Sequence, residues 1–471
     1  MILLLFGAVL LVSMAVAFTN WRHGWVAAVV CGILQDPVRK LTPGTPAALT
    51  MSIVAVYAVI LFAALTSLQR NRVDFSKRFP NLYSVISLFL VMLVFAAMNG
   101  LATFGLSAWQ VPALSLLIYM LPIPAVLLGY AWLQREEQLV QFFLFYAIIT
   151  SIALVGTPLE YFRVFDSPVL GVVAMPGGYI RHLPGLQIRV LSGIYRAPDI
   201  MGWHAATLTA VGVTLAIRAR VFVRAWPWIA VAAWGFLNCL ISGRRKAIYM
   251  VAIFAIAFLW RYSRRLRVTQ VALVLALGLA VGLVLREVGS REDSQVYTQG
   301  AKTTSAEVLE RLEGGVISTF RQGSLLGAGL GSATQGVRHV SGRESDFGWQ
   351  EGGLGKLAAE LGLQGLLVAA LLAWVLIQMM LRITAVGDIP GTSQVIRVAL
   401  FALVIANIAN FLTSAQAYSD PVLTLMTAFF MGCLFATAAL DERLPEAQST
   451  EGGAQEQLTG SPAPSALPAA P

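Results

Sequence analysis

The sequence predicts an all-α, polytopic membrane protein with about twelve transmembrane helices and one large extracytoplasmic loop containing an amphipathic helix. Three observations predict it. The 471 residues are 57% hydrophobic and only 12% charged, too apolar for a soluble core. Apolar runs of the length needed to cross a hydrocarbon layer of about 30 Å recur along the chain. The basic residues gather in alternate connectors, as membrane-flanking cations do. The net charge of +9 therefore belongs to those connectors, and no nucleic-acid partner is expected.

The spanning runs are 2–18, 47–68, 82–98, 112–133, 139–156, 198–217, 225–241, 247–260, 268–285, 356–381, 395–413 and 421–440. The first contains Ala15-Val-Ala17, which resembles a signal-peptidase site, but it lacks a basic leader and is read as a retained helix. Residues 24–34 are about half the necessary length. With Asp36-Pro-Val-Arg-Lys40 behind them, they are read as a re-entrant or interfacial piece. Arg70, Arg72, Lys77 and Arg78, then Arg135, then Arg218, Arg220 and Arg224, then Arg261, Arg264, Arg265 and Arg267, then Arg382 all fall on one side. That side is cytoplasmic by the positive-inside rule, and twelve spans put both termini there. Residues 1–440 form the membrane domain. Residues 441–471, rich in Ala, Pro, Gly, Gln and Ser, form a cytoplasmic tail too poor in apolar residues to fold.

Two external segments depart from the charge rule. Residues 157–197 hold Arg163, Arg181, Arg189 and Arg196. The loop 287–354 holds Arg291, Arg311, Arg321, Arg338 and Arg343. In that loop, Thr304 and Glu307 make a capping box. Val308, Leu309, Leu312, Val316 and Phe320 continue as the apolar stripe of a helix lying along a membrane face. A third exception is the short turn Ser242-Gly-Arg-Arg-Lys246. Two readings stand for its three cations: neighbouring spans override the local topogenic cost, or the cations bind an anion. Arginine suits phosphate and pyrophosphate because its planar fork donates bidentately.

Other motifs carry little chemistry. Gly327-Ala-Gly-Leu-Gly331 lacks a βαβ setting and reads as a tight turn returning the chain to the bilayer. His23, His182, His204 and His339 have no ligand spacing and read as satisfied polar residues. Cys31, Cys239 and Cys433 lie in apolar runs as inert core residues, without a disulfide or zinc pattern. No metal or cofactor is expected. Glu360 follows Lys356 by four residues, the spacing of a structural ion pair. Glu351 has no such local partner. It is either a solvated loop carboxylate or a base whose pKa rises by partial desolvation where the chain re-enters the membrane.

Four stretches together resemble the superfamily of bacterial O-antigen ligases and O-antigen polymerases. They are Arg189-Val-Leu-Ser-Gly193 with Pro198-Asp-Ile-Met-Gly202, then Ser242-Gly-Arg-Arg-Lys-Ala247, then Arg311 with Leu325-Leu-Gly-Ala-Gly-Leu-Gly331, then Glu360-Leu-Gly-Leu-Gln-Gly365. The resemblance places Arg245 on the family's arginine, with Arg244 the alternative if the turn aligns one residue earlier. It departs at Glu351, in the slot nine residues before Glu360 where many members have a His-Asn pair.

The resemblance implies a multi-pass protein of the bacterial inner membrane. It implies metal-independent transfer of a glycan from a polyprenyl pyrophosphate to a sugar hydroxyl on the extracytoplasmic face. Glu351, Arg245 and Arg311 would be catalytic. Arg189, Arg196, Arg244, Arg245, Lys246, Arg311 and Arg321 would bind the pyrophosphate. The implied partners are the lipid-linked oligosaccharide, membrane lipids and other polysaccharide assembly proteins. The alternatives are an anion transporter of the bicarbonate-transporter-like kind and a non-catalytic assembly partner. Transport is disfavoured because the spans are nearly free of ionisable residues.

Overall fold

A computed structural model describes residues 1–171, 179–183, 186–219, 221–262, 316–321, 325–334, 352–385 and 393–459; side chains are described except at 179–183, 186–189, 318, 321 and 441–459. The elements in order are α1 (Ile2–Thr19), α2 (Trp21–Leu41), α3 (Ser52–Ala63), α4 (Leu65–Arg78), α5 (Pro80–Phe104), α6 (Gln110–Met120), α7 (Pro122–Trp132), α8 (Glu136–Ala153) and α9 (Gly156–Tyr161). The hairpin β1 (Tyr179–Leu183) and β2 (Leu186–Val190) follows, then α10 (Pro198–Arg218), α11 (Phe222–Ile241), α12 (Arg245–Tyr262), α13 (Ser318–Arg321), α14 (Gly353–Ala385), α15 (Gln394–Thr413) and α16 (Pro421–Thr459).

Eight helices among the described residues are long and apolar enough to cross a membrane, or nine if the bent pair Ala47–Ala63 and Leu65–Arg78 is one span. The eight match predicted runs, with α6–α7 and α8–α9 each acting as one span. The predicted runs 225–241 and 247–260 are helices too, α11 and α12, but they fall outside the eight. Arg224, Asn238 and three tryptophans dilute α11, and Arg245, Lys246 and Arg261 dilute α12. The run 268–285 and most of the loop 287–354 lie outside the described residues. Of the expected amphipathic helix only the end is described, as the four-residue α13 with Thr319 buried.

Residues 24–34 are not a short interfacial piece. They lie inside α2, a 21-residue helix, packed between α1 and α3. Its interior Pro37 and its charged end hide it from a hydropathy window, although Trp25, Ala28, Val29, Cys31 and Ile33 are all buried. The directions of the helices follow from their contacts. Trp25 stacks on Phe429 at 4.5 Å, and Gly32 meets Val422, so α2 and α16 are antiparallel. Ala17 meets Gly24, and the Cys31 thiol donates to Ser13 Oγ at 3.1 Å, so α1 and α2 are antiparallel. Met1 therefore lies at the end of the bundle opposite Leu440. The antiparallel packing of α2 on both α1 and α16 sets these two ends apart, although α2 is not among the helices long and apolar enough to cross a membrane.

The described parts of the basic connectors do collect at one end. Arg218 pairs with Glu136 at 2.9 Å, Glu136 accepts from Ser393 N, and Arg261 donates to Leu381 O at 2.9 Å. At that end α4 turns 76° from α3. Phe75 is buried, while Arg70, Arg72 and Lys77 are exposed. Past Leu440 the backbone of α16 continues as helix to Thr459. Ala, Glu, Gln and Leu favour helix even where too few apolar side chains exist to build a core.

At the opposite end, residues 325–334 are not a simple return turn. They thread between α5 and a break in α14 at Gly362, where φ is 69°. Ala328 N donates to Ala359 O at 2.7 Å, Leu330 N to Ala96 O at 2.9 Å and Leu363 N to Leu325 O at 2.8 Å. The Glu360 carboxylate, fully buried, accepts from Tyr119 OH at 2.7 Å, Gly331 N at 3.2 Å, Ala333 N at 3.4 Å and the Thr334 hydroxyl. Gly329 has φ +89°, and a Cβ there would lie 2.2 Å from Gly100 N. Since both the backbone conformation and the space exclude a side chain, Gly329→Ala should cost roughly 2–5 kcal/mol. Thermal unfolding of the purified protein in detergent checks this. Gly7→Ala, with nothing within 4 Å of its Cβ, should leave the midpoint unchanged.

Candidate functional site

The end of the bundle that holds the threaded glycines also holds a network of buried charge. Segment 191–197 is clamped from both sides. Glu160 of α9 accepts from Ser192 N at 3.1 Å and Gly193 N at 2.7 Å, while Lys40 Nζ of α2 donates to Gly193 O at 2.7 Å and Val169 O at 3.0 Å. Arg196 sits between two carboxylates: Nη1 lies 2.8 Å from Asp36 Oδ1 and Nη2 2.5 Å from Asp420 Oδ2. Its backbone N also donates to Asp36 Oδ2 at 3.1 Å. Burial works against the guanidinium charge, but Asp36 and Asp420 outweigh it and hold Arg196 protonated above the usual arginine range. Asp420 does a second task. Its Oδ1 accepts from Val422 N at 2.7 Å and caps α16.

The turn between α11 and α12 docks on this segment. Leu191 N donates to Ser242 O at 3.3 Å. Gly243 has φ +69° and sits on Val190. Ser242 Oγ accepts from Arg244 N at 3.0 Å, an ST-type turn that projects the three cations. Arg244 Nη2 lies 3.2 Å from Asp199 Oδ2, and Lys246 Nζ donates to Ser414 Oγ at 2.6 Å. Asp199, Trp203, Arg244, Lys246, Asn410 and Ser414 enclose a polar cavity of about 10 Å³, room for roughly one water. Arg245 is buried and does not line it.

Thus Arg244, Lys246 and Arg196 gather at one end of the bundle, with different surroundings. Arg196 is held between two aspartates. Arg189 lies in β2, opposite Ile180, and Arg321 closes α13; their side chains lie outside the described residues, as do Arg311 and Glu351. The next residues bracket the site: Gly352 abuts Leu412 O and Gly353 abuts Phe411, on the helix whose cap, Ser414, receives Lys246. Lys356 does not pair with Glu360. It lies over the Tyr119 ring at 5.1 Å, because Glu360 faces the threaded loop. Asp36, Lys40, Glu160, Asp199 and Asp420 were not singled out by the sequence, since nothing local shows which arginine or amide each meets. His204 is satisfied by Tyr146 OH at 2.9 Å.

Between α5, α7, α14, α15 and α16 lies an apolar groove of about 310 Å³. Phe75 and Phe435 line it toward the basic end, and Tyr119, Phe411 and Tyr418 toward the polar end. Spans that carry few charges thus bury those they have: Glu360 and Arg397 are both fully enclosed.

Replacing Arg196 by Met should destabilise the protein by about 3–5 kcal/mol, because Asp36 and Asp420 would be left buried and uncompensated. Adding Asp36→Asn and Asp420→Asn to that variant should recover part of the loss. Thermal melts of the single and triple variants in detergent measure both.

Comparison with known proteins finds no family model that matches this chain and no curated protein that matches it.

Proposed function

We propose that this chain is a membrane glycosyltransferase that polymerises or ligates a polyprenyl-pyrophosphate-linked glycan, acting at the polar end of its bundle. The supporting observation is convergence. Segment 191–202 bonds to the 242–246 turn, Lys246 of that turn bonds to Ser414, and Gly352 and Gly353 lie against the same stretch of α15. Residues 325–331 and 360–365 interlock beside Tyr119. The described parts of the four stretches that resemble the O-antigen ligases and polymerases thus lie at one end.

In this reading the polar end is extracytoplasmic and the basic end cytoplasmic. With α2 counted as a pass, Met1 is extracytoplasmic and Leu440 cytoplasmic. The isoprenoid chain of the donor lies in the apolar groove and its pyrophosphate at the cationic turn. The acceptor hydroxyl oxygen attacks the anomeric carbon, its proton passes to Glu351, and the bond from that carbon to the pyrophosphate oxygen breaks. The electron pair stays on the departing oxygen, whose charge Arg244, Lys246 and Arg311 neutralise. Arg244 rather than Arg245 is assigned to the pyrophosphate because it lines the polar cavity with Lys246.

Transfer from a purified polyprenyl-pyrophosphate glycan tests the assignment. Arg244→Lys keeps the charge but loses the bidentate fork, and the rate should fall on the order of 10²–10³-fold. Parent-like turnover by that variant would remove Arg244 from the site.

Glu351→Gln should still bind donor lipid yet give no product. Glu360→Gln should chiefly lower thermal stability, because an amide accepts from fewer of the donors that Glu360 serves. A folded but dead Glu360→Gln beside an active Glu351→Gln would reverse the two roles.

A further inference from the structure

At the basic end, far from the polar site, α14 carries a mixed stripe of apolar, amide and cationic side chains. Trp374, Val375, Gln378, Met379 and Arg382 recur at helical spacing on one face. They meet Asn81 of α5 across a groove of about 320 Å³. Trp374 is 63% exposed. Among the described residues, the side chains of Asn81, Gln378 and Arg382 have no hydrogen-bond or ion-pair partner. The groove therefore grades from apolar to cationic over two helical turns, with the cation in the last turn of α14.

Two features around it carry the same sign. Asn81 is the second residue of α5, whose 25-residue length puts a positive dipole end beside the groove. Directly before α5, α4 lies bent across the bundle with Arg70, Arg72 and Lys77 exposed. Such a basic amphipathic helix lies at headgroup depth rather than spanning.

We propose that this groove is a binding site for an anionic phospholipid. The phosphate sits between Arg382 and Asn81 with Gln378 as a further donor, and one acyl chain runs along Val375 and Met379 past Trp374. Charge complementarity selects the anionic class. Interfacial tryptophan fixes the depth, and basic pockets between helices at the cytoplasmic face suit this ligand. The site is separate from the proposed transfer chemistry and does not depend on it.

Native mass spectrometry of the delipidated full chain, titrated with phosphatidylglycerol or phosphatidylcholine, tests the proposal, with thermal melts in parallel. Phosphatidylglycerol should bind and raise the melting midpoint, while phosphatidylcholine and inorganic phosphate should not. Arg382→Gln should weaken phosphatidylglycerol binding about tenfold, the size of one charge-assisted hydrogen bond. Trp374→Leu, which keeps every charge, should weaken it as well. The substitution Arg70→Gln on α4 should not. Equal binding of the two lipids would overturn the proposal. So would parent-like binding by both groove variants, or a loss on Arg70→Gln as large as that on Arg382→Gln. If Arg382→Gln does not fold, Trp374→Leu and Asn81→Ala decide the matter alone.

Discussion

A guanidinium buried in a mostly apolar bundle must be met by carboxylate, and the requirement of Arg196 organises much of the rest. Asp36 comes from α2, Asp420 from the start of α16, and Arg196 from the loop between the hairpin and α10. Three segments far apart in the chain are therefore tied at one point. Removing any partner leaves a charge that the surroundings cannot solvate. The tie fixes the loop, Glu160 and Lys40 hold its backbone, and that backbone receives the turn bearing Arg244 and Lys246. The cations of the proposed pyrophosphate site are thus placed by a stack of polar contacts whose base is structural. Arg196 is the anchor beneath that turn.

The second lock uses backbone instead of charge. A threaded loop in a membrane domain must satisfy its N–H groups internally. Glu360 does much of this, by accepting from Gly331 N and Ala333 N. Glycines at 327, 329, 331 and 362 let the strands of backbone approach more closely than any side chain allows. The two locks are joined through α15 and its neighbours, since Lys246 reaches Ser414 while Gly353 packs on Phe411. A long, mostly membrane-bound chain thereby gains one ordered polar end. Its opposite end stays basic and open, with α4 laid across it.

The membrane class, most of the helix positions and the collection of basic connectors at one end were legible in the sequence. Hydropathy and charge alternation are summed along the chain, so local composition reports them. The Lys356–Glu360 pair did not form, because neighbours in space outcompeted the neighbour in sequence: the amides of the threaded loop donate to Glu360.

The burial of α2 was hidden for a different reason. Its burial comes from packing between α1, α3 and α16, so it tolerates Gln35, Asp36, Pro37 and Lys40 where a lipid-facing helix would not. By itself the sequence determined what kind of solvent most of this chain meets and where its cations fall. The tertiary structure alone decided which charges neutralise each other, because such pairings join residues far apart in the chain, as Arg196 is joined to Asp36 and Asp420. Local pattern carries no record of such distances, and the electrostatic cost of a buried charge depends on the partner that folding brings to it.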